Sequence, residues 1–231
     1  HMLHLPVGDM YTHRTNLNVY RNVAENYLNV GEVSGIIKSP GSLEKSIDQF
    51  PYKPERPVIP DITGPYMVLN AESSETIQEL RSWPAASWGQ LISRLRTRFS
   101  DFQLVLIGTE QGRGIYENIL KSVAGDAKVI DCIGKTSFDE FAGLLAHAEI
   151  VISVDSGPFH LSAFLKRKTI GLFGPETPVL YGYALPWVSA IYRNLMCSPC
   201  LAIYDAKKSV LDCQDNQCLK QISVDQVYDE I

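Results

Sequence analysis

Residues 150–164, IVISVDSGPFHLSAF, carry the reading that decides the fold. An apolar run ends at Val154, the turn residues Asp155-Ser156-Gly157-Pro158 follow, and a helical pattern begins at once with His160 just inside it. A nearly continuous apolar run is what a strand needs when helices cover both faces of its sheet. Pro158 suits the first helical position, because its missing N–H would have had no helical partner. Gly157 permits a positive φ or a close backbone approach. The N–H groups of such a helix start, with the helix dipole, favour an anion such as a pyrophosphate. Ser156 is expected to add a hydroxyl donor, and His160 to face the anion. Asp155 would repel it, so its expected role is to accept hydrogen bonds from backbone amides or ligand hydroxyls. The same residues also cap helices that bind nothing, so the neighbouring segments have to decide.

Working outward, short strands and helices alternate from Tyr66 onward. Strands are predicted at 66–70, 102–108, 127–131, 149–154, 168–174 and 188–192. Between them, helices are predicted after Ser82, over about 114–123, after Thr136 and over 160–166. Ser87 with Gln90, and Ser137 with Glu140, have the spacing of a capping box. This βαβα order predicts a doubly wound α/β domain with a parallel sheet over residues 61–231. Residues 1–60 read differently. The spacing of Leu17, Tyr20, Val23, Ala24, Tyr27 and Leu28 predicts a helix from His13 to Val30 that stops at Gly31. Six prolines between Pro40 and Pro65 then predict an extended linker. His1-Met2 reads as a cloning remnant.

Composition narrows the function. The chain of 231 residues is 45% hydrophobic and 20% charged, with net charge −5 and no basic block, which gives no electrostatic case for nucleic acid. No apolar run is long enough for a transmembrane segment, and no signal-peptide pattern is present. The expectation is a soluble, cytoplasmic protein.

Four of the five cysteines, Cys197, Cys200, Cys213 and Cys218, fall within residues 197–218. The C-x2-C…C-x4-C spacing predicts a tetrahedral four-thiolate site for a structural zinc or iron. Two disulfides are the competing reading, disfavoured in a reducing compartment, and four free buried thiols the blandest.

Four stretches together resemble glycosyltransferase family 9, the group that contains the lipopolysaccharide heptosyltransferases. VDSGPFHLSAFL (154–165) is similar to that family's D-[ST]-G-x-x-H-L turn, LFGPETP (172–178) to its G-P-T-x-P loop, RSWP (81–84) to its K-x-W-P, and YMVLNAESS (66–74) to the segment before it. The C-S-P-C…C…C ending also occurs in many members, some with iron. The resemblance implies the second, Rossmann-like half of a GT-B enzyme, which binds a nucleotide-diphosphate sugar, ADP-heptose being the expected donor. It implies that the acceptor domain and its general base are missing, so that an acceptor glycan or protein would be engaged through an N-terminal domain this chain lacks. Carried over by position, Arg81 stands for a lysine that contacts phosphate and would stabilise the leaving diphosphate. Asp155, Ser156, Gly157 and His160 would lie near the diphosphate and sugar, and Ser73 and Ser74 near the phosphates. Glu110 would contact the ribose, and Thr136 would lie near the base. No D-x-D motif indicates a magnesium-dependent mechanism. Two other readings are a non-catalytic nucleotide-sugar-binding or assembly module with a structural metal, and a metal-clamped interaction domain whose nucleotide site has decayed.

Overall fold

A computed structural model describes residues 21–35, 42–49, 51–73, 79–201 and 213–231. Six parallel strands form one sheet: β1 (Tyr66–Asn70), β2 (Gln103–Leu106), β3 (Val129–Asp131), β4 (Ile150–Val154), β5 (Lys168–Phe173) and β6 (Val188–Tyr192), in the order β3-β2-β1-β4-β5-β6. All six lie where the sequence predicts them. This is the doubly wound order, and it places β1 beside β4, with Leu69 opposite Ile152 and Asn70 opposite Ser153.

Side chains alternate along each strand, so each apolar run supplies two faces. On one face Met67, Leu69, Leu104, Leu106 and Ile152 pack with α3 (Ala85–Arg98), α4 (Arg113–Ser122) and α9 (Val224–Asp229) through Trp88, Leu91, Leu95, Tyr116, Ile119 and Val227. On the other, Tyr66, Val68, Val105, Ile107 and Val151 pack against Leu144 and Leu145 of α5 (Phe138–Ala146). Each fully buried aliphatic side chain of this kind contributes about 1.5–3 kcal/mol of transfer free energy. That double layer is what the unbroken Val/Ile/Leu runs encode.

Several local expectations change. Helix α1 (Val23–Val33) passes through Gly31 instead of stopping there. Its end comes at Gly35, whose φ of +75° is the left-handed conformation that terminates helices, whereas Gly31 is simply a weak helix former inside one. The part of that prediction before Arg21 lies outside the described residues. The proline-rich segment holds a short helix, α2 (Leu43–Asp48), capped by Ser42, whose side chain accepts from the Lys45 N–H. The following 51–65 stretch is extended but held: Tyr52 Oη donates to Asp139 at 3.1 Å, and Glu55 and Pro57 lie so close over Gly143 that a Cβ there would collide. Ser87 does not cap α3. The helix starts at Ala85, and the Ser87 N–H donates to the Pro84 carbonyl. The second predicted capping box forms: Ser137 N–H donates to Glu140 at 2.8 Å, and Glu140 N–H to the Ser137 hydroxyl at 3.3 Å.

The cysteine segment is not a separate extension. After β6 the chain returns through α8 (Gln217–Lys220) and α9 across α3, where the Trp83 indole donates to the Ile222 carbonyl at 2.9 Å. Cys218 and Leu219 press against Gly174 at the end of β5. Among the described residues, no helix is long and apolar enough to cross a membrane.

Candidate functional site

The carboxyl ends of β1 and β4 diverge at the point where strand order reverses, and a crevice opens there. Asn70, the last residue of β1, lies across its floor. The Asn70 amide sits 3.0 Å from the Ser153 hydroxyl, 2.9 Å from that of Ser156 and 2.8 Å from the Glu72 carbonyl. Its carbonyl oxygen accepts from Tyr116 Oη at 3.3 Å. Above this floor is a cavity of about 670 Å³, lined by Asn70, Glu72, Ser73, the Gly108–Gln111 loop, Gly134, Thr136, Phe138, Phe141 and Ser156–Pro158. That volume is in the range of sites for drug-sized ligands.

Helix α6 (Gly157–Phe164) opens onto the cavity with Ser156 as its N-cap in extended backbone, and no side chain caps its first turn. Pro158 is therefore its second residue, one position later than predicted. An ideal Cβ at Gly157 would meet nothing within 4 Å, so the backbone there is bare to the cavity. Ser73, 6% exposed, has a hydroxyl with no hydrogen-bond partner among the described residues. A buried orphan hydroxyl costs about 1–3 kcal/mol, which a ligand oxygen would recover. The Ser156 hydroxyl, expected as a donor to ligand, instead faces its own loop, donating to the Val154 carbonyl at 3.2 Å and accepting from Asn70.

The structure thus gathers Ser73, Glu110, Thr136, Ser156 and Gly157 around one cavity. Ser74 lies outside the described residues. Arg81, Asp155 and His160 form a second chain of contacts behind the turn. Arg81 is 5% exposed; its guanidinium pairs with Glu176, donates to the Asp155 carbonyl at 3.2 Å and lies 3.8 Å from the Asp155 carboxylate. The expected guanidinium facing a phosphate is replaced by one held between carboxylates, because a buried cation needs counter-charge. Burial lowers the Arg81 pKa, and the Asp155 charge opposes that shift. Asp155 also faces His160, whose Nε2 is 3.6 Å from its carboxylate. The other ring nitrogen of His160 lies 2.7 Å from Tyr183 Oη, and burial pushes the Tyr183 phenol well above its ordinary range, with the Asp155 charge adding to it. His160 therefore lines a different, apolar groove beside Tyr27, Phe164 and Tyr183.

The sequence reading missed Asn70, Glu72, Thr109 and Phe138. Only Phe138 left a signal: a large apolar side chain at the solvent end of a capped helix, 67% exposed and at the mouth of the cavity.

Residues 11–211 match the family described as glycosyltransferase family 9 (heptosyltransferase). The chain belongs to that family. Over 122 residues it is 34% identical to lipopolysaccharide heptosyltransferase 1 of Salmonella typhimurium, a match covering 52% of this chain and 36% of that protein. The solved structure of Escherichia coli heptosyltransferase WaaC with ADP superposes with a TM-score of 0.64 at 20% identity, covering 97% of this chain and 60% of that one. The iron-containing dodecameric glycosyltransferase TibC from enterotoxigenic Escherichia coli superposes at 0.56 with 18% identity, covering 77% of this chain and 46% of TibC. The chain spans less than two thirds of the length of each of these proteins.

Among the described residues these four cysteines form no disulfide: Cys197 is exposed, Cys200 and Cys213 are half-buried, and Cys218 is buried. All four line one cavity of about 30 Å³, room for a single small particle. Yet among the described residues no group of three or more His, Cys, Asp or Glu is set to hold a metal ion. The expected four-thiolate clasp is thus present as a donor set but not as a coordination shell. Burial and the neighbouring thiols push Cys218 up to about 11 and raise Cys200 as well. The segment is tied down by other means: the Cys200 N–H donates to the Pro175 carbonyl at 2.9 Å, and Asn216 to the Ser82 carbonyl at 2.8 Å.

Proposed function

We propose that this chain is the donor-binding half of an inverting glycosyltransferase, taking a nucleotide-diphosphate sugar, ADP-heptose, for transfer to a hydroxyl acceptor. The observation that carries the reading is the Ser73 hydroxyl, without a partner among the described residues, beside the start of α6 that no side chain caps, both facing one cavity at the switch point of the sheet. The diphosphate lies against the α6 amides at Gly157 with Ser73 as a further donor. As the glycosidic bond breaks, negative charge grows on the departing diphosphate, and those preorganised amides stabilise it. Glu110, four residues past β2, is at the position where Rossmann-type folds take ribose hydroxyls. Thr136 and Phe138 border the base. Arg81 acts through Asp155, fixing the turn that presents the α6 amides. Membership of the heptosyltransferase family and the WaaC structure with ADP support the choice of donor.

The general base that deprotonates the acceptor is assigned to a separate N-terminal domain, so the chain alone binds donor without transferring sugar. Calorimetric titration with ADP, UDP and GDP tests this: ADP binds, and Ser73→Ala weakens it. Failure of all three nucleotides to bind removes the reading. Turnover by the chain alone with an acceptor removes the half-enzyme assignment and the non-catalytic module alternative together.

The four cysteines are proposed to hold a structural zinc or iron, the reading supported by their convergence on one cavity and by the likeness of fold to iron-containing TibC. Sulfur donors suit either metal. Metal analysis of protein purified without chelators tests it, and free thiols with no bound metal reject it.

A further inference from the structure

Glu72 is 9% exposed and borders the cavity, with its carboxylate turned under the loop that joins β2 to α4. One of its oxygens accepts from the Thr109 N–H at 2.6 Å, the other from the Thr109 hydroxyl at 2.6 Å. The Thr109 hydroxyl in turn accepts from the Gly112 N–H at 3.1 Å. The loop is shaped around this carboxylate, since a Cβ at either Gly108 or Gly112 would collide with it. From the other side, the Glu72 carbonyl accepts from Asn70, which also contacts Ser156 at the start of α6. Glu72 therefore joins the turn before α6 to the loop carrying Glu110, through a chain of contacts Ser156–Asn70–Glu72–Thr109.

We infer that Glu72 is a positioning residue for ribose recognition: its charge locks the Gly108–Gly112 loop and so fixes Glu110 against the sugar hydroxyls of a nucleotide. A carboxylate beside a diphosphate would repel it if exposed. Held by two donors and turned under the loop, it acts instead as an internal anchor, because charge-assisted hydrogen bonds are the strong ones. The inference rests on the donor-site reading above for its ligand, but the latch itself does not.

The test uses the full chain with ADP and 2′-deoxy-ADP as calorimetric probes, and amide hydrogen exchange on the nucleotide-free protein. For Glu72→Ala, ADP affinity falls about tenfold, the size of one charge-assisted hydrogen bond, while 2′-deoxy-ADP changes by no more than about twofold. The preference of the wild type for the ribonucleotide is thereby lost. Exchange at Thr109 and Gly112 quickens by about tenfold or more. Thr109→Val, which keeps the N–H and removes the hydroxyl, moves both readouts in the same direction by less, and it serves if the glutamate variant folds poorly. Equal weakening of both nucleotides would show a general structural role and overturn the ribose assignment. Unchanged exchange at Thr109 overturns the latch whatever the binding data say. A wild type that binds neither nucleotide, with exchange responding as expected, removes the donor-site reading and the ribose role with it while leaving the latch standing.

Discussion

Replacing Arg81 by alanine separates two roles for this side chain, because the buried and ligand-facing readings give opposite results. The guanidinium is 5% exposed and lies between Glu176, 1% exposed, and Asp155, 4% exposed. Removing it takes away the cation these two buried carboxylates share. Breaking a buried ion pair by deleting one partner costs about 3–5 kcal/mol. In a chain of this size each kcal/mol moves Tm by about 2–4 °C, so the variant is expected to melt roughly 6–20 °C lower. The pH dependence carries the sharper sign. A carboxylate that loses its counter-charge while buried is easier to protonate in the folded than in the unfolded state. The folded variant then binds more protons than its unfolded form, so its stability rises as pH falls from 7 towards 5. The deficit against wild type should therefore shrink at low pH. Arg81→Lys keeps the charge and loses the planar fork, and it should recover the pH behaviour with only part of the stability. Differential scanning calorimetry from pH 5 to 8, with ADP titration alongside, reads all of this. A variant that melts within ~2 °C of wild type but no longer binds ADP would refute the reasoning and return Arg81 to the ligand.

Gly157→Ala should leave stability within about 0.5 kcal/mol, since its Cβ meets nothing within 4 Å, yet weaken ADP by placing a methyl where the diphosphate lies. Chemical denaturation and calorimetry together check that split, and an unchanged ADP affinity would move the diphosphate away from α6. Native protein without metal should be alkylated first at exposed Cys197, while Cys132 and Cys218, both pushed by burial up to about 11, stay unreactive at pH 8; mass-spectrometric mapping reads the order. Burial raises the Asp131 carboxyl, but Lys135, the Ile133 N–H and Arg113 together hold it below its ordinary value. Its stabilising contribution is then complete above about pH 4 and lost as pH falls through the lowered folded value. Melting curves of Asp131→Asn should converge on wild type in acid and fall below it at neutral pH.

Strands β1, β4 and β5 were legible because each is a largely apolar run long enough to fill two faces. The Ser137–Glu140 cap was legible because both partners lie within one helical turn. Ser87 and Gly31 misled for a shared reason. Local propensity names residues able to cap or stop a helix, but the actual boundary went to Pro84 and Gly35, whose backbone geometry suits it. The short helices α2, α7 (Pro178–Tyr181), α8 and α9 have four to six residues, too few for a periodic signal. Of these α9 did carry a readable cap, Ser223 with Gln226. The floor of the site was illegible in principle. Asn70 meets Ser153 and Ser156 across 83 and 86 residues, and the contact exists only because the sheet order puts β1 next to β4.

The two sides of the Asp155–Pro158 turn explain why the motif residues divide as they do. A helix start that is to offer bare amides to an anion cannot also be stabilised by its own side-chain cap, and Ser156 provides none. Something else must hold the backbone in place. On the cavity side that support is Asn70, which fixes Ser156. On the far side it is Arg81, which grips the Asp155 carbonyl while balancing the Asp155 and Glu176 charges. Glu176 is in turn placed by the loop after β5, to which the cysteine segment is tied through the Pro175 carbonyl and Gly174. Seen this way, the cysteine segment is remote from the cavity but not from its chemistry. Loosening it would release Glu176, then Arg81, then the turn, so its contribution to binding runs through rigidity at Gly157 and not through any contact with ligand.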